Sequence, residues 1–181
     1  MSYRVHYGAD EGESMTEGGL RPHTGGCQCG AVRFRCDSQP ENVHVCHCRM
    51  CQKAVGGPFA VICPVLKSDF QVTRGKLSWF KSSELARRGF CSECGTPMIF
   101  DYPEFPDIGV MAGSFDNPSE VPPVVQYGNE SRVSWYGMLV SLPGDAPTYA
   151  VDPQGYLPRI QASNRQHPDH DTDHWPRPVR S

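Results

Sequence analysis

The sequence lacks long apolar runs and any excess of positive charge. No stretch of its 181 residues approaches the ~18 consecutive apolar residues that a membrane helix needs, so we expect no membrane partner. The formal net charge is −3, which provides no basic stripe for nucleic acid, so we expect no nucleic-acid partner either. Residues 1–19 are acidic and contain no apolar segment, so we expect no signal peptide and a cytoplasmic location.

The chain also offers few places for a long helix, because it carries 18 glycines and 17 prolines. Such frequent turn-forming residues favour short strands joined by turns. We therefore predict a mainly β, single-domain fold with short helical turns over residues 23–152. We predict a flexible acidic arm at 1–22 and a loosely ordered tail at 153–181, whose His167, His170 and His174 we expect to face solvent.

Alternating and continuous short apolar segments predict a series of strands. These strands are 31–36, 59–63, 70–74, 77–80, 97–102, 108–112, 124–127 and 133–136. Because only Gly75 and Lys76 separate 70–74 from the start of 77–80, these two strands are predicted to form a hairpin. One or two helical turns are predicted over 49–54.

Nine cysteines are present, and an odd number does not suit a fully paired disulfide framework. In a reducing cytoplasm, clustered cysteines favour metal binding or chemistry instead. Seven of them fall into three clusters: Cys27 with Cys29; Cys46 with Cys48 and Cys51; and Cys91 with Cys94. Cys36 and Cys63 stand alone inside predicted strands, and we expect them to be small buried apolar residues.

The cluster spacings suit a tetrahedral metal with thiolate ligands. Two cysteines separated by two residues can reach one ion across a tight turn, and two separated by one residue share a strand face. Soft thiolates select zinc over magnesium or calcium, with an iron–sulfur cluster as the alternative. Seven ligands divide into four and three, and we therefore predict two zinc ions per chain, one closed and one with an open position.

Spacing alone leaves open which clusters share a metal. Cys48 and Cys51 could pair with Cys91 and Cys94 in a two-knuckle arrangement. Alternatively, the two outer clusters could share one metal, which would leave the three cysteines of residues 46–51 for the other. His47 is an alternative eighth ligand that would close the second site, although its position between two cysteines makes simultaneous ligation awkward.

Three motifs together give the chain a family resemblance. They are Gly26-Cys27-x-Cys29-Gly30, Cys46-His47-Cys48-x-x-Cys51-x-Lys53 and Phe90-Cys91-x-x-Cys94-Gly95. In this order they resemble the glutathione-dependent formaldehyde-activating enzymes, a family that includes the domain of centromere protein V. The resemblance covers about residues 23–143. One departure is that Gln126-Tyr127 stand where the resemblance leads us to expect a histidine.

The resemblance implies a small β-tent zinc-binding fold and the second division of the cysteines. It implies a structural zinc on the outer clusters, Cys27, Cys29, Cys91 and Cys94. It implies a catalytic zinc on Cys46, Cys48 and Cys51. The implied activity is that of a carbon–sulfur lyase, similar to S-hydroxymethylglutathione synthase, which condenses formaldehyde with glutathione.

Two function hypotheses follow for this chain. The first is a zinc lyase acting on a thiol–aldehyde adduct, in which Arg49 and Lys53 beside the cysteine loop attract the carboxylates of glutathione. The second is a non-catalytic zinc-binding module that holds a protein partner. An open three-cysteine site favours the first, and a fourth protein ligand such as His47 or Cys63 would favour the second.

Overall fold

A computed structural model describes residues 21–144, 152 and 154–174. Most of the predicted acidic arm therefore lies outside the described residues. The strands are β1 His23–Gly26, β2 Arg33–Cys36, β3 His44–Cys46, β4 Ala60–Leu66, β5 Phe70–Arg74, β6 Ser78–Lys81, β7 Arg87–Phe90, β8 Pro97–Asp101, β9 Asp107–Met111 and β10 Val125–Tyr127. The α-helices are α1 Arg49–Val55 and α2 Tyr156–Ser163. None of the helices in the described ranges has the length and apolar character needed to cross a bilayer.

Two sheets make up the domain. The smaller has the order β1-β2-β5 and the larger has the order β10-β3-β4-β9-β8-β7-β6. Neighbouring strands are antiparallel, except that β10 pairs with β3 in parallel. One cluster of buried side chains joins the sheets, with Phe34 of the small sheet and Met98 and Val110 of the large sheet fully buried. The prediction of a mainly β, single-domain fold with short helices is confirmed.

The predicted hairpin over 70–80 is wrong. β5 pairs with β2 in the small sheet, whereas β6 pairs with β7 in the large sheet. Gly75 explains the difference, because it has a φ of +68° and a Cβ there would lie 2.0 Å from the carbonyl oxygen of Ala31. At Gly75 the backbone passes close to Ala31, in the loop between β1 and β2, and the chain then continues into the large sheet instead of making a tight turn.

Other short elements also differ from the sequence predictions. The predicted strand at 133–136 is absent, and a 3₁₀ helix covers Tyr136–Ser141 instead. The ring of Tyr136 packs on His47 and Phe59 at centroid distances of 4.8 and 5.5 Å, so tertiary packing holds this segment without a strand partner. Strands β1, β3 and β7 were not predicted, because they are short and lack a clear apolar alternation. The helical turns predicted at 49–54 are confirmed as α1.

Part of the predicted loose tail contacts the domain. His167 is buried, and its backbone N–H donates to the carbonyl of Gln28 at 2.7 Å. Asp171 accepts from Arg33 Nε at 2.9 Å. The expectation that His167 faces solvent is therefore wrong, whereas His170 and His174 are exposed as expected. The prediction that the rest of 153–181 is loosely ordered stays a prediction.

Candidate metal centres

The outer cysteine clusters meet in one buried group. Cys27 and Cys29 follow β1, Cys91 and Cys94 lie between β7 and β8, and the four sulfurs are all within 4.8 Å of one another. Cys29 Sγ lies 3.6 Å from Cys27 Sγ and 3.9 Å from Cys91 Sγ. A tetrahedron with Zn–S bonds of 2.3 Å has an edge of ~3.8 Å, so these sulfurs suit a four-coordinate ion.

Neighbouring donors orient the sulfurs of this four-cysteine group. The backbone N–H of Val32 donates to Cys27 Sγ at 3.2 Å, and the Thr96 hydroxyl lies 3.1 Å from Cys94 Sγ. Burial raises the pKa of Cys27 to about 11. Burial also acts to raise the pKa of Cys94, but hydrogen bonds, chiefly from Thr96, lower it to about 7. The group therefore needs a cation to hold all four sulfurs as thiolates at neutral pH.

The second group gathers the three cysteines around the start of α1. Cys46 ends β3, Cys48 is the N-cap of α1 and Cys51 lies in its first turn, with the three sulfurs within 4.8 Å of one another. The N–H of Cys51 donates to Cys48 Sγ at 3.4 Å, so the sulfur takes the place of the usual capping oxygen. Local helix geometry thus brings two of the three sulfurs together.

Among the described His, Cys, Asp and Glu residues, none joins the three-cysteine group as a fourth ligand. His47 is fully buried, and its Nε2 lies 2.9 Å from Gln126 Oε1. Gln126, in the segment where a histidine was expected, thus contacts the His47 ring. Cys63 is fully buried in the main core, as is Cys36, and both act as small apolar residues as predicted. The described residues thus leave one side of this group free for an external ligand.

The three thiols of this group differ in acidity. Burial raises the pKa of Cys46 to about 12 and also raises that of Cys51. For Cys48, burial opposes ionisation, but hydrogen bonds from the Cys51 N–H and the neighbouring sulfurs lower the pKa below its usual value. Cys48 is therefore the most acidic thiol of the three, and Cys46 and Cys51 need a cation to ionise at neutral pH. The group fits a divalent metal chemically, since coordination removes thiol protons outright.

Arg88 is a site residue that the sequence reasoning missed. Its Nη2 lies 3.6 Å from Cys51 Sγ, and its guanidinium lies over the Phe100 ring at 4.9 Å from the centroid. Its Nη1 is buried and has no hydrogen-bond partner among the described residues. Arg88 is 37 residues from Cys51 along the chain, and only the pairing of β7 within the large sheet brings it near. No local sequence signal indicates this contact.

Two cavities flank the three-cysteine group. The smaller, of about 260 Å³, is lined by all three cysteines, and the larger is lined by the predicted Arg49 and Lys53. Met50 and Arg88 line both cavities. Arg49 also donates from Nη1 to Gln52 Oε1 at 2.8 Å. The two predicted basic residues thus lie beside the cysteine loop, in the neighbouring cavity and not among the sulfurs.

Gly128 supports the three-cysteine group in a way that suggests a test. It has a φ of +69°, and a Cβ there would lie 2.7 Å from the backbone nitrogen of Cys48. We expect Gly128→Ala to displace the Cys48 loop and to lower bound metal from two ions per chain to one, measured by elemental analysis. Gly56→Ala is the matched control, since Gly56 has a φ of +66° and, its chain neighbours aside, no atom of the described residues lies within 4 Å of the added Cβ. Equal metal loss in both variants would contradict the steric explanation.

The comparisons with known proteins agree with the motif order. The family model described as glutathione-dependent formaldehyde-activating enzyme matches residues 22–130. A Halomonas elongata protein named "Putative glutathione-dependent formaldehyde-activating enzyme" is 32% identical over 122 residues, which cover 61% of this chain and 77% of that protein. An uncharacterized lyase of Schizosaccharomyces pombe is 28% identical over 80 residues, which cover 44% of this chain and 58% of the yeast protein.

One solved structure is also similar. A crystal structure of a Rhodobacter sphaeroides protein has 25% sequence identity and a TM-score of 0.45, and the match covers 57% of this chain and 98% of that one.

Proposed function

Because the chain belongs to the glutathione-dependent formaldehyde-activating enzyme family, we propose that it is a zinc-dependent carbon–sulfur lyase of the S-hydroxymethylglutathione synthase type. Its substrates would be a thiol and an aldehyde in the cytoplasm, and the family points to glutathione and formaldehyde. The observation that carries the proposal is the three-cysteine group, which has no fourth ligand among the described residues and lines a cavity.

The two groups would hold zinc in different roles. The four-cysteine group would be the structural site, because four ligands saturate a tetrahedral ion and three of its cysteines are buried. The three-cysteine group would be the catalytic site. When bound there, zinc supplies an exchangeable fourth position at which a substrate thiol loses its proton.

The chain's own residues would then act on the developing charge. Attack of the substrate sulfur on the aldehyde carbon forms a C–S bond and moves the C=O π pair onto oxygen, which then takes a proton. Three cysteine thiolates around a divalent ion leave a formal charge of −1, so little positive charge remains there to stabilise that oxygen. Arg88 would supply the missing positive charge, because its Nη2 lies beside Cys51 and its buried Nη1 has no hydrogen-bond partner among the residues that the structure describes.

The proposed activity can be tested with glutathione and formaldehyde. We expect the zinc-loaded chain to form S-hydroxymethylglutathione faster than the uncatalysed condensation, with the extra rate proportional to protein concentration. Removal of zinc by a chelator should abolish the extra rate, and adding zinc back should restore it. The absence of any rate above background with every thiol and aldehyde screened would contradict the lyase proposal.

Arg88 provides a second test of the mechanism. We expect Arg88→Gln to lower kcat by ~100- to 1000-fold, the loss typical of one donor to a developing oxyanion, with zinc content unchanged. Arg88→Lys should recover part of the loss, since it keeps the charge. Arg35→Gln is the control, because Arg35 pairs with Asp37 at the surface of the small sheet. A normal kcat in Arg88→Gln would remove Arg88 from the mechanism.

A further inference from the structure

The larger cavity beside the cysteine loop has a mostly apolar wall. Its volume is about 650 Å³, within the usual range for small-molecule sites. The apolar lining includes Val55, Phe80, Phe90, Pro97, Ile99 and Met111. Phe80 is 62% exposed even though it lies on a strand of the large sheet. An apolar surface of this size beside a reactive loop is well suited to bury the carbon skeleton of a ligand.

The polar groups of this apolar cavity have one sign of charge. Three cations line it, Arg49, Lys53 and Arg88, and Ser82 adds one hydroxyl. No Asp or Glu is among the described lining residues, so this part of the cavity offers no carboxylate to a ligand ammonium group. The charge pattern favours an anion, and the apolar wall favours a ligand with little else that is polar.

Glutathione matches this cavity poorly. It carries one ammonium group, two carboxylates and two peptide groups, each with a donor and an acceptor. A polar group buried without a partner costs ~1–3 kcal/mol, and this lining offers partners mainly to carboxylates. Formaldehyde is too small to use the apolar wall. An apolar chain that ends in a carboxylate would use both the wall and the cations.

We propose that the apolar cavity binds an aliphatic or aromatic chain with a carboxylate end, and that the thiol substrate of this protein is such an apolar thiol carboxylate. The assignment of this molecule as substrate rests on the proposed lyase function, whereas its binding does not. Met50 and Arg88 line both cavities, so a chain held in the larger one can extend past them toward Cys46, Cys48 and Cys51.

Binding can be measured without a thiol or an aldehyde. We would titrate the zinc-loaded full chain with hexanoate, hexanol and S-methylglutathione and follow amide shifts by NMR. We expect hexanoate to bind at least ~10-fold more tightly than hexanol, because a charge-assisted contact is lost in the alcohol. We also expect it to bind more tightly than S-methylglutathione. Equal affinities for hexanoate and hexanol, or tighter binding of S-methylglutathione, would overturn the proposal.

Four variants separate the contribution of the cations to binding from that of the apolar wall. Lys53→Gln should weaken hexanoate by ~3- to 10-fold and leave hexanol unchanged, whereas Phe80→Ala should weaken both to the same degree. Lys81→Gln and Leu85→Ala are the matched controls, because both side chains are exposed and do not line the cavity. Equal effects of the control and cavity variants would overturn the proposal. So would a dimer in solution that buries Phe80 and Met50.

Turnover distinguishes this inference from the lyase proposal. With formaldehyde as the aldehyde, 6-mercaptohexanoate should give a higher kcat/KM than glutathione, and Lys53→Gln should reduce that advantage. Better turnover of glutathione would overturn the substrate assignment while supporting the lyase proposal. If hexanoate binds as expected but no thiol is turned over, the binding site stands and the lyase proposal fails.

Discussion

Cys94→Ala is expected to unfold most of the domain at 37 °C, or to lower its Tm by more than about 10 °C. A structural zinc site contributes on the order of 10 kcal/mol, which is similar to the ~5–15 kcal/mol net stability of a whole domain. For a chain of this length each kcal/mol lost lowers Tm by about 2–4 °C. The measurement is thermal unfolding by circular dichroism at fixed zinc concentration, together with zinc content.

The position of the four-cysteine group in the fold explains so large an effect. Cys27 and Cys29 follow a strand of the small sheet, and Cys91 and Cys94 follow a strand of the large sheet, so a bound ion would link the two sheets. Cys27, Cys29 and Cys91 are also members of the main core cluster. Loss of the ion would therefore leave buried thiols unligated at the junction of the sheets.

Cys63→Ala is the matched control for this prediction. It removes a fully buried sulfur from the same core at a residue that belongs to neither cysteine group. We expect it to cost about 1–2 kcal/mol and to leave two zinc ions bound. A Cys94→Ala variant as stable as Cys63→Ala would show that the four-cysteine group is not the structural site.

Cys48→Ala is expected to abolish the proposed lyase activity while the fold persists. The group would keep only two sulfurs, so we expect the bound zinc to fall from two ions per chain to one and the rate to fall to the uncatalysed background. Stability should drop by only ~1 kcal/mol, the typical cost of losing a helix N-cap. The measurements are zinc content, the rate of adduct formation and the unfolding transition of the same preparation.

The smaller structural effect has a reason in the packing. The three-cysteine group lies with the minor cluster around Ala60, Ile62 and Met111, and its cysteines come from one short stretch of chain. A metal there links residues that are already close along the sequence, so its loss frees little chain. If Cys48→Ala unfolds the protein and Cys94→Ala does not, the two roles are reversed.

The sequence by itself determined which residues could hold metal and how many sites to expect. Cysteine pairs with one or two residues between them can approach each other across a turn or along a strand face, so chelation by each pair follows from local geometry. The apolar and turn patterns likewise predicted a mainly β domain and α1, and they placed Cys36 and Cys63 in the core. These features depend on neighbours in the chain, which the sequence lists directly.

Only the tertiary structure decided which clusters meet, because that depends on strands far apart in the sequence. Spacing left two divisions of the cysteines open and the family resemblance implied one of them; the sheet topology brings Cys29 beside Cys91, 62 residues away. The same long-range packing places Arg88 beside Cys51 and Gly128 beside Cys48. It also separates β5 from β6 at Gly75. Whether two distant segments pack together is settled by the burial and hydrogen bonding of the whole sheet, for which a local pattern carries no signal.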